Sequence, residues 1–254
     1  MKKQKLIFLS ASRDGYEVLK ETLKIKEISV ITIVTLGPGA KTKMYDGIGR
    51  KKWHEFNIPV HEIENINEET ALIKSLKPDI IVMCGWRQIV NPEILNIPPK
   101  GFIAIHPTLL PLGRGPAPLI NTILEGHKES GASMFYADNS LDGGDIIGQK
   151  KFIIGKNDYA ADLYRKMTKA EKALIKIYLP LVAEGKASRV PQDEKKATYF
   201  QKRTMKDNEI DLSSPPEKIF RKIRAFSKPY NGAYIKLGEK KLIIWKAELR
   251  EIAD

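Results

Sequence analysis

The runs Lys5-Leu6-Ile7-Phe8-Leu9-Ser10 and Ile28-Ser29-Val30-Ile31-Thr32-Ile33-Val34-Thr35-Leu36 flank the segment Tyr16-Glu17-Val18-Leu19-Lys20-Glu21-Thr22-Leu23. The outer two are short, apolar and bounded by turn formers, whereas the middle one repeats its apolar residues at helical spacing. Strand, helix and strand in so short a span predict a parallel βαβ unit, because parallel neighbours need a crossover between them.

The alternation continues outward. Gly37-Pro38-Gly39 ends the second strand, residues 49–56 read as a helix, and Ile58-Pro59-Val60 leads another short strand. Residues 68–76 form an amphipathic helix that stops before Pro78. Residues 79–83 are nearly all apolar, as expected of a central strand covered on both faces. Further strands are expected at 102–105, 132–137 and 146–154, the last looking antiparallel, with a helix at 118–124. A long helical period covers 158–182 and should break or end around Pro180. After Gly185 the composition turns polar, with a helix near 216–225 and a hairpin turning at Gly238-Glu239. The expectation is an α/β fold with a Rossmann-like, mostly parallel sheet flanked by helices. A catalytic domain would span residues 1–188, and a small C-terminal α+β module with a hairpin would span 189–254.

A chain of 254 residues supports a substantial core, and its apolar content of 42% is ordinary for a globular protein. No run approaches the length of a membrane span, and the apolar part of the start is too short for a signal peptide. No membrane is therefore expected, and the cytoplasm is the default compartment. The single cysteine, Cys84, excludes an internal disulfide framework and a cysteine-rich metal site. The formal charge of +12 is spread along the chain, so a solvated surface, phosphorylated ligands and nucleic acid all stay open, with nucleic acid the least favoured. The opening turn Ser10-Ala11-Ser12-Arg13-Asp14-Gly15 lacks the glycine spacing that lets a backbone approach a pyrophosphate, which argues against a dinucleotide cofactor.

The chemistry centres on Ile103-Ala104-Ile105-His106-Pro107-Thr108-Leu109-Leu110-Pro111 and on Leu141-Asp142-Gly143-Gly144. The first delivers a histidine to the end of an apolar strand; the second holds a carboxylate in a glycine-rich turn. Only the fold can bring the two together, as a base and the acid that orients it. With Arg114-Gly115-Pro116-Ala117-Pro118, these motifs resemble those of the folate-dependent formyltransferases. That family includes glycinamide ribonucleotide, methionyl-tRNA and sugar-nucleotide formyltransferases, and its motif reads Asn-x-His-Pro/Gly-Ser/Thr-Leu-Leu-Pro with an Asp in a Leu-Asp-x-Gly turn. The resemblance runs from about Lys5 to Gly148 and more weakly through Ala197-Thr198-Tyr199 to Tyr234.

The resemblance implies that 10-formyltetrahydrofolate donates a formyl group to an amine, with His106 carrying a proton and Asp142 orienting it. It places folate against Trp86, Arg87, Gln88, Ile89 and Val90 and against Asn139, Ser140 and Leu141, with Thr108, Arg114 and Gly115 towards the acceptor; Tyr230, in the aromatic and basic stretch 224–234, is expected to offer that acceptor ring stacking. Cys84 reads as structural. The chain departs from the motif at Ala104, where the family has an Asn whose amide would donate to the developing oxyanion. Three readings stand: an engineered Asn-to-Ala change, a natural variant with another donor, and a folate-binding module without chemistry. The Arg114–Pro118 run resembles the tRNA and sugar-nucleotide branches. The tRNA branch carries a large C-terminal β-barrel, and none is visible before the chain stops. The expected acceptor is thus an amine of a nucleotide-linked deoxysugar, of uridine or thymidine diphosphate type, formylated before it enters a surface glycan; methionyl-tRNA is the alternative. Sugar-modifying relatives are often dimers, so a homodimer is also expected.

Overall fold

The computed structural model describes residues 2–42, 44 and 46–252. Nine strands and six α-helices follow one another as β1 (Gln4–Leu9), α1 (Arg13–Thr22), β2 (Ile28–Leu36), β3 (Val60–Ile63), α2 (Thr70–Leu76), β4 (Ile80–Cys84), α3 (Pro92–Leu95), β5 (Phe102–His106), α4 (Pro118–Leu124), β6 (Glu129–Tyr136), β7 (Ile146–Ile153), α5 (Ala160–Glu184), α6 (Pro216–Phe226), β8 (Ala233–Leu237) and β9 (Lys240–Ile244) among these residues. Seven strands form one sheet in the order β3-β2-β1-β4-β5-β6-β7. The first five run parallel; β6 and β7 are antiparallel to their neighbours. The strand order reverses between β1 and β4, which opens a crevice at their carboxyl ends.

Both faces of the sheet are buried at its centre. Along β1, Leu6 and Phe8 point to a core shared with Val18 and Leu19 of α1 and with Leu174, Ile175 and Leu179 of α5, while Ile7 and Leu9 join Ile73 and Ile94 on the opposite face. This two-residue alternation explains why the strand reads as a continuous apolar run. On β5, Ile103 and Ile105 face the α5 side, so Ala104 and His106 share the other face. A third cluster joins Leu119 and Ile123 of α4 and Leu163 and Met167 of α5 to Ile223 and Phe226 of α6 and Ala233 of β8. The β8–β9 hairpin forms its own two-stranded sheet.

Two local expectations fail. Residues Arg50–Phe56 are a 3-10 helix, ended by Asn57 in the left-handed region at φ 54°. The long helix α5 does not break at Pro180 but continues to Glu184 and closes on Gly185 at φ 72°. The carbonyl that Pro180 cannot bond belongs to the exposed Lys176, where water can satisfy it, and apolar packing of Leu179 and Val182 holds the last turn.

Candidate active site

His106 closes β5 and is buried, at 8% exposure. Pro107 stops the strand, and the chain wraps around the imidazole. Ser133 on β6 pins that wrap: its Oγ accepts from the Leu110 N–H at 3.0 Å and donates to the Thr108 carbonyl at 2.7 Å. Gln149 on β7 donates to the Leu110 carbonyl at 2.7 Å. The wrap returns Gly113 to the ring, and its carbonyl lies 2.9 Å from His106 Nε2. A carbonyl can only accept, so Nε2 carries a proton there.

On the other edge of the ring, Nδ1 lies 3.5 Å from Asp142 Oδ2. That separation is an ion-pair distance rather than a closed hydrogen bond. The same Oδ2 accepts the Gly115 N–H at 2.8 Å. Asp142 sits in the left-handed region at φ 51°. Gly144 follows where a Cβ would strike the Tyr136 carbonyl, so the glycine lets the turn lie down on the sheet. Expected from separate motifs, His106 and Asp142 are brought together by the fold. Both neighbours of the imidazole are acceptors, and with the proton on Nε2 facing the Gly113 carbonyl, Nδ1 is the nitrogen left to take one.

Ala104 lies two residues before His106 on the same face, buried at 2% exposure with Leu110 and Phe135, and with Met83, Ala137 and Ile146 at the margin. Its surroundings are apolar. Thr108 is buried as well, and its Oγ1 finds no partner among the described residues.

The segment after β4 divides into anchors and open residues. Gln88 is a tie: its Oε1 accepts from the Ile66 N–H at 2.9 Å, and its Nε2 donates to the Glu64 carbonyl at 2.7 Å and to Thr42 Oγ1 at 3.1 Å. Val90 is buried in the core. Arg87 pairs with Asp46 at 2.8 Å. Trp86 is half-buried, its Nε1 without a hydrogen-bond partner among the described residues, and Ile89 is 81% exposed. On the second loop Asn139 and Ser140 are exposed, Ser140 bonds back to Asp138, and Leu141 is 50% exposed.

Arg114 was expected at the acceptor, but the fold buries it at 1% exposure and commits its guanidinium to the protein. It donates to Glu194 at 2.6 and 2.9 Å, to Gln192 Oε1 at 2.9 and 3.2 Å and to Tyr199 Oη at 3.0 Å. With five donors already placed, it is a structural cation and not an open contact for substrate. Gly115, expected beside it, serves Asp142 through its N–H. Tyr230 packs with the α4–α6 cluster and lines a small cavity with Ile120, Arg203, Asn208 and Phe226. Burial, then the Asp46 carboxylate, push its phenol up.

The sequence reading missed a buried group at that crevice. Asp14, Cys84 and Glu171 bring their ligating atoms within 4.8 Å of one another, and Tyr164 bonds Asp14. Burial raises both the Cys84 thiol and the Glu171 carboxyl well above their ordinary ranges, which leaves Cys84 an unreactive thiol. No motif announces Glu171, because a helical period marks it only as an inward position.

Residues 6–179 match the formyl transferase family model, and residues 202–254 match its C-terminal domain. The bifunctional polymyxin resistance protein ArnA of Wigglesworthia glossinidia brevipalpis is 32% identical over 249 residues, which cover 96% of this chain. The chain spans only 38% of that relative. A 4-N formyltransferase from Francisella tularensis superposes with a TM-score of 0.76 at 20% identity, over 98% of this chain and 99% of that one. An N-formyltransferase from Helicobacter canadensis, solved with folinic acid and dTDP-3-aminofucose, superposes with a TM-score of 0.72 at 22% identity over 96% and 87%. At such identities the two structures share the fold. Among the described residues no helix is long and apolar enough to cross a membrane.

Proposed function

The chain belongs to the formyl transferase family, and from that premise we propose that it moves the formyl group of 10-formyltetrahydrofolate to an amine of a nucleotide-linked amino-deoxysugar. The observation that carries the reading is the His106–Asp142 pair, 3.5 Å apart on the sheet face that also presents position 104. The sugar acceptor, of thymidine or uridine diphosphate type, rests on two likenesses: ArnA across 96% of this chain, and the fold of an enzyme solved with dTDP-3-aminofucose. Product sugars of this kind would enter a surface glycan.

The bound folate supplies the formyl carbon and a nitrogen that can leave. The loops fit a flat ring system: Ile89 and Leu141 offer exposed apolar surface, and Trp86 Nε1 is a buried donor with no acceptor among the described residues. Residues of the chain then manage the proton. As the attacking amine becomes a bond donor it must shed a proton, and His106 is placed to take it. The resulting imidazolium donates from Nδ1 towards Asp142 and from Nε2 to the Gly113 carbonyl, so both neighbours stabilise the charged ring. Asp142 keeps the ring in orientation. Ala104 offers no donor to the oxyanion, a loss typically of about 3 kcal/mol in the transition state. Slow transfer is therefore part of the proposal.

The test supplies the purified chain with 10-formyltetrahydrofolate and a panel of dTDP- and UDP-linked amino-deoxysugars, with N-formyl product read by mass spectrometry. A formylated sugar nucleotide, lost in His106→Ala, is expected. Formylation of methionyl-tRNA and of no sugar would overturn the acceptor. Binding of folinic acid with no transfer to any amine would leave a folate-binding module, the reading favoured by Ala104 taken alone.

A further inference from the structure

We propose that Gln192 is a positioning residue for this site, holding the Leu141–Gly144 turn so that Asp142 stays against His106. The inference rests on the reading of His106 and Asp142 as the reacting pair. Gln192 Nε2 donates to the carbonyls of Asp142 at 2.9 Å and of Gly144 at 2.8 Å. A carboxamide nitrogen has two N–H groups, and both are spent on one turn.

The orientation of that amide is fixed from behind. Its Oε1 accepts from Arg114 Nε at 3.2 Å and Nη2 at 2.9 Å, so the oxygen faces the guanidinium and the nitrogen must face the turn. Arg114 is itself immobilised by the Glu194 carboxylate. Its backbone lies between Thr198 and Phe200, with N–H to the Thr198 carbonyl at 2.9 Å and carbonyl to the Phe200 N–H at 2.8 Å.

The next residue, Gly115, supplies the N–H that binds the Asp142 carboxylate at 2.8 Å. Adjacent residues therefore reach Asp142 from two sides: Gly115 directly at the carboxylate, and Arg114 through Gln192 at the carbonyl. The hold matters because the Asp142 backbone is left-handed, at φ 51°, a conformation an aspartate adopts at a cost. The carboxylate also stands 3.5 Å from the ring, where a small displacement of the turn opens the contact.

Two variants test the strut. Gln192→Glu keeps an oxygen for Arg114 but turns the second one on two carbonyls, and Gln192→Met keeps the length and removes both functions. The primary readout is the imidazole nitrogen spectrum of the chain's four histidines by NMR, which needs no substrate, with Asp142→Asn as the reference. In both variants the His106 resonances should move towards those of Asp142→Asn, while His54, His61 and His127 stay in place. Formyl transfer should lose kcat by about 10²-fold, the cost of a misplaced catalytic group, with KM for 10-formyltetrahydrofolate unchanged. Unmoved His106 resonances in both variants would overturn the proposal. So would a fall in melting temperature with His106 unmoved, since that marks a merely structural tie. Resonances that move as expected in a chain formylating no amine would keep the strut and sink the assigned reaction.

Discussion

Tyr164 and Asp14 hold each other twice across 150 residues of chain: the phenol donates to Asp14 Oδ1 at 2.7 Å, and the Asp14 N–H donates to the phenol oxygen at 2.8 Å. The pair fastens α5 to the first βα turn, at the mouth of the crevice between β1 and β4. Burial, then the nearby Asp14 charge, push the Tyr164 phenol far upward, so it remains a donor throughout the working pH range.

Tyr164→Phe removes both contacts and leaves a buried carboxylate oxygen and a backbone N–H without this partner. Losses of that kind cost about 1–3 kcal/mol. Urea denaturation should show the midpoint falling with an unchanged slope, because the exposed area on unfolding is the same. A midpoint equal to that of the parent would mean that water replaces the phenol without loss.

Glu171→Gln should alter how stability depends on pH. The Glu171 carboxyl is raised by burial first and then by Asp14 and Asp46. The folded chain thus keeps a proton that the unfolded chain releases near the ordinary glutamate value of about 4.3. Stability is full below that value and falls as pH rises towards the raised one. Asp46, raised by burial and opposed by Arg87, adds a slope of the same sign, so the variant removes part of the dependence and not all of it. Melting temperatures from pH 5 to pH 8 on both proteins measure the difference. Parallel curves would show that Glu171 does not titrate on unfolding as described.

Much of this was legible in the residues. Apolar runs such as 28–36 and 79–83 revealed their strands because parallel strands covered on both faces leave few polar positions. His106 and Asp142 were legible because each carries a local signature, a strand stopped by Pro107 and a Gly143-Gly144 turn. Arg114 was legible as special but was assigned outward, since a sequence shows a charge and not what neutralises it. Its partners Gln192, Glu194 and Tyr199 lie about eighty residues downstream, in a polar stretch with no period of its own. The end of α5 was misplaced because Pro180 is a strong local breaker, and only tertiary packing of Leu179 and Val182 outweighs it.

Asp142→Asn separates charge from geometry. Asparagine accepts the left-handed backbone and can still take the Gly115 N–H, so the melting temperature should hardly move. The variant has no negative charge to stabilise the imidazolium, and formyl transfer should fall by about 10²-fold or more. Asp142→Ala should lose the same activity and also stability, because it leaves the Gly115 N–H unpaired and forces a Cβ-bearing residue without a local acceptor to φ 51°. Equal melting temperatures for the two variants would contradict the structural half of this account.

Ala104→Asn sets two effects against each other at one atom position. The side chain of residue 104 shares its face of β5 with His106, so an amide there would extend towards the reacting centre. A donor to the oxyanion is worth about 10²–10³ in turnover, and transfer should rise by about that factor. The same amide would enter a patch made by Met83, Leu110 and Phe135, where an incompletely bonded polar group costs about 1–3 kcal/mol. The variant should therefore be faster and less stable than the parent. Single-turnover transfer from saturating 10-formyltetrahydrofolate, paired with a thermal melt, measures both. A rate that does not rise would show that another donor already serves the oxyanion in this chain. A melting temperature that does not fall would show that the Asn amide finds its partners in the folded protein before any substrate arrives.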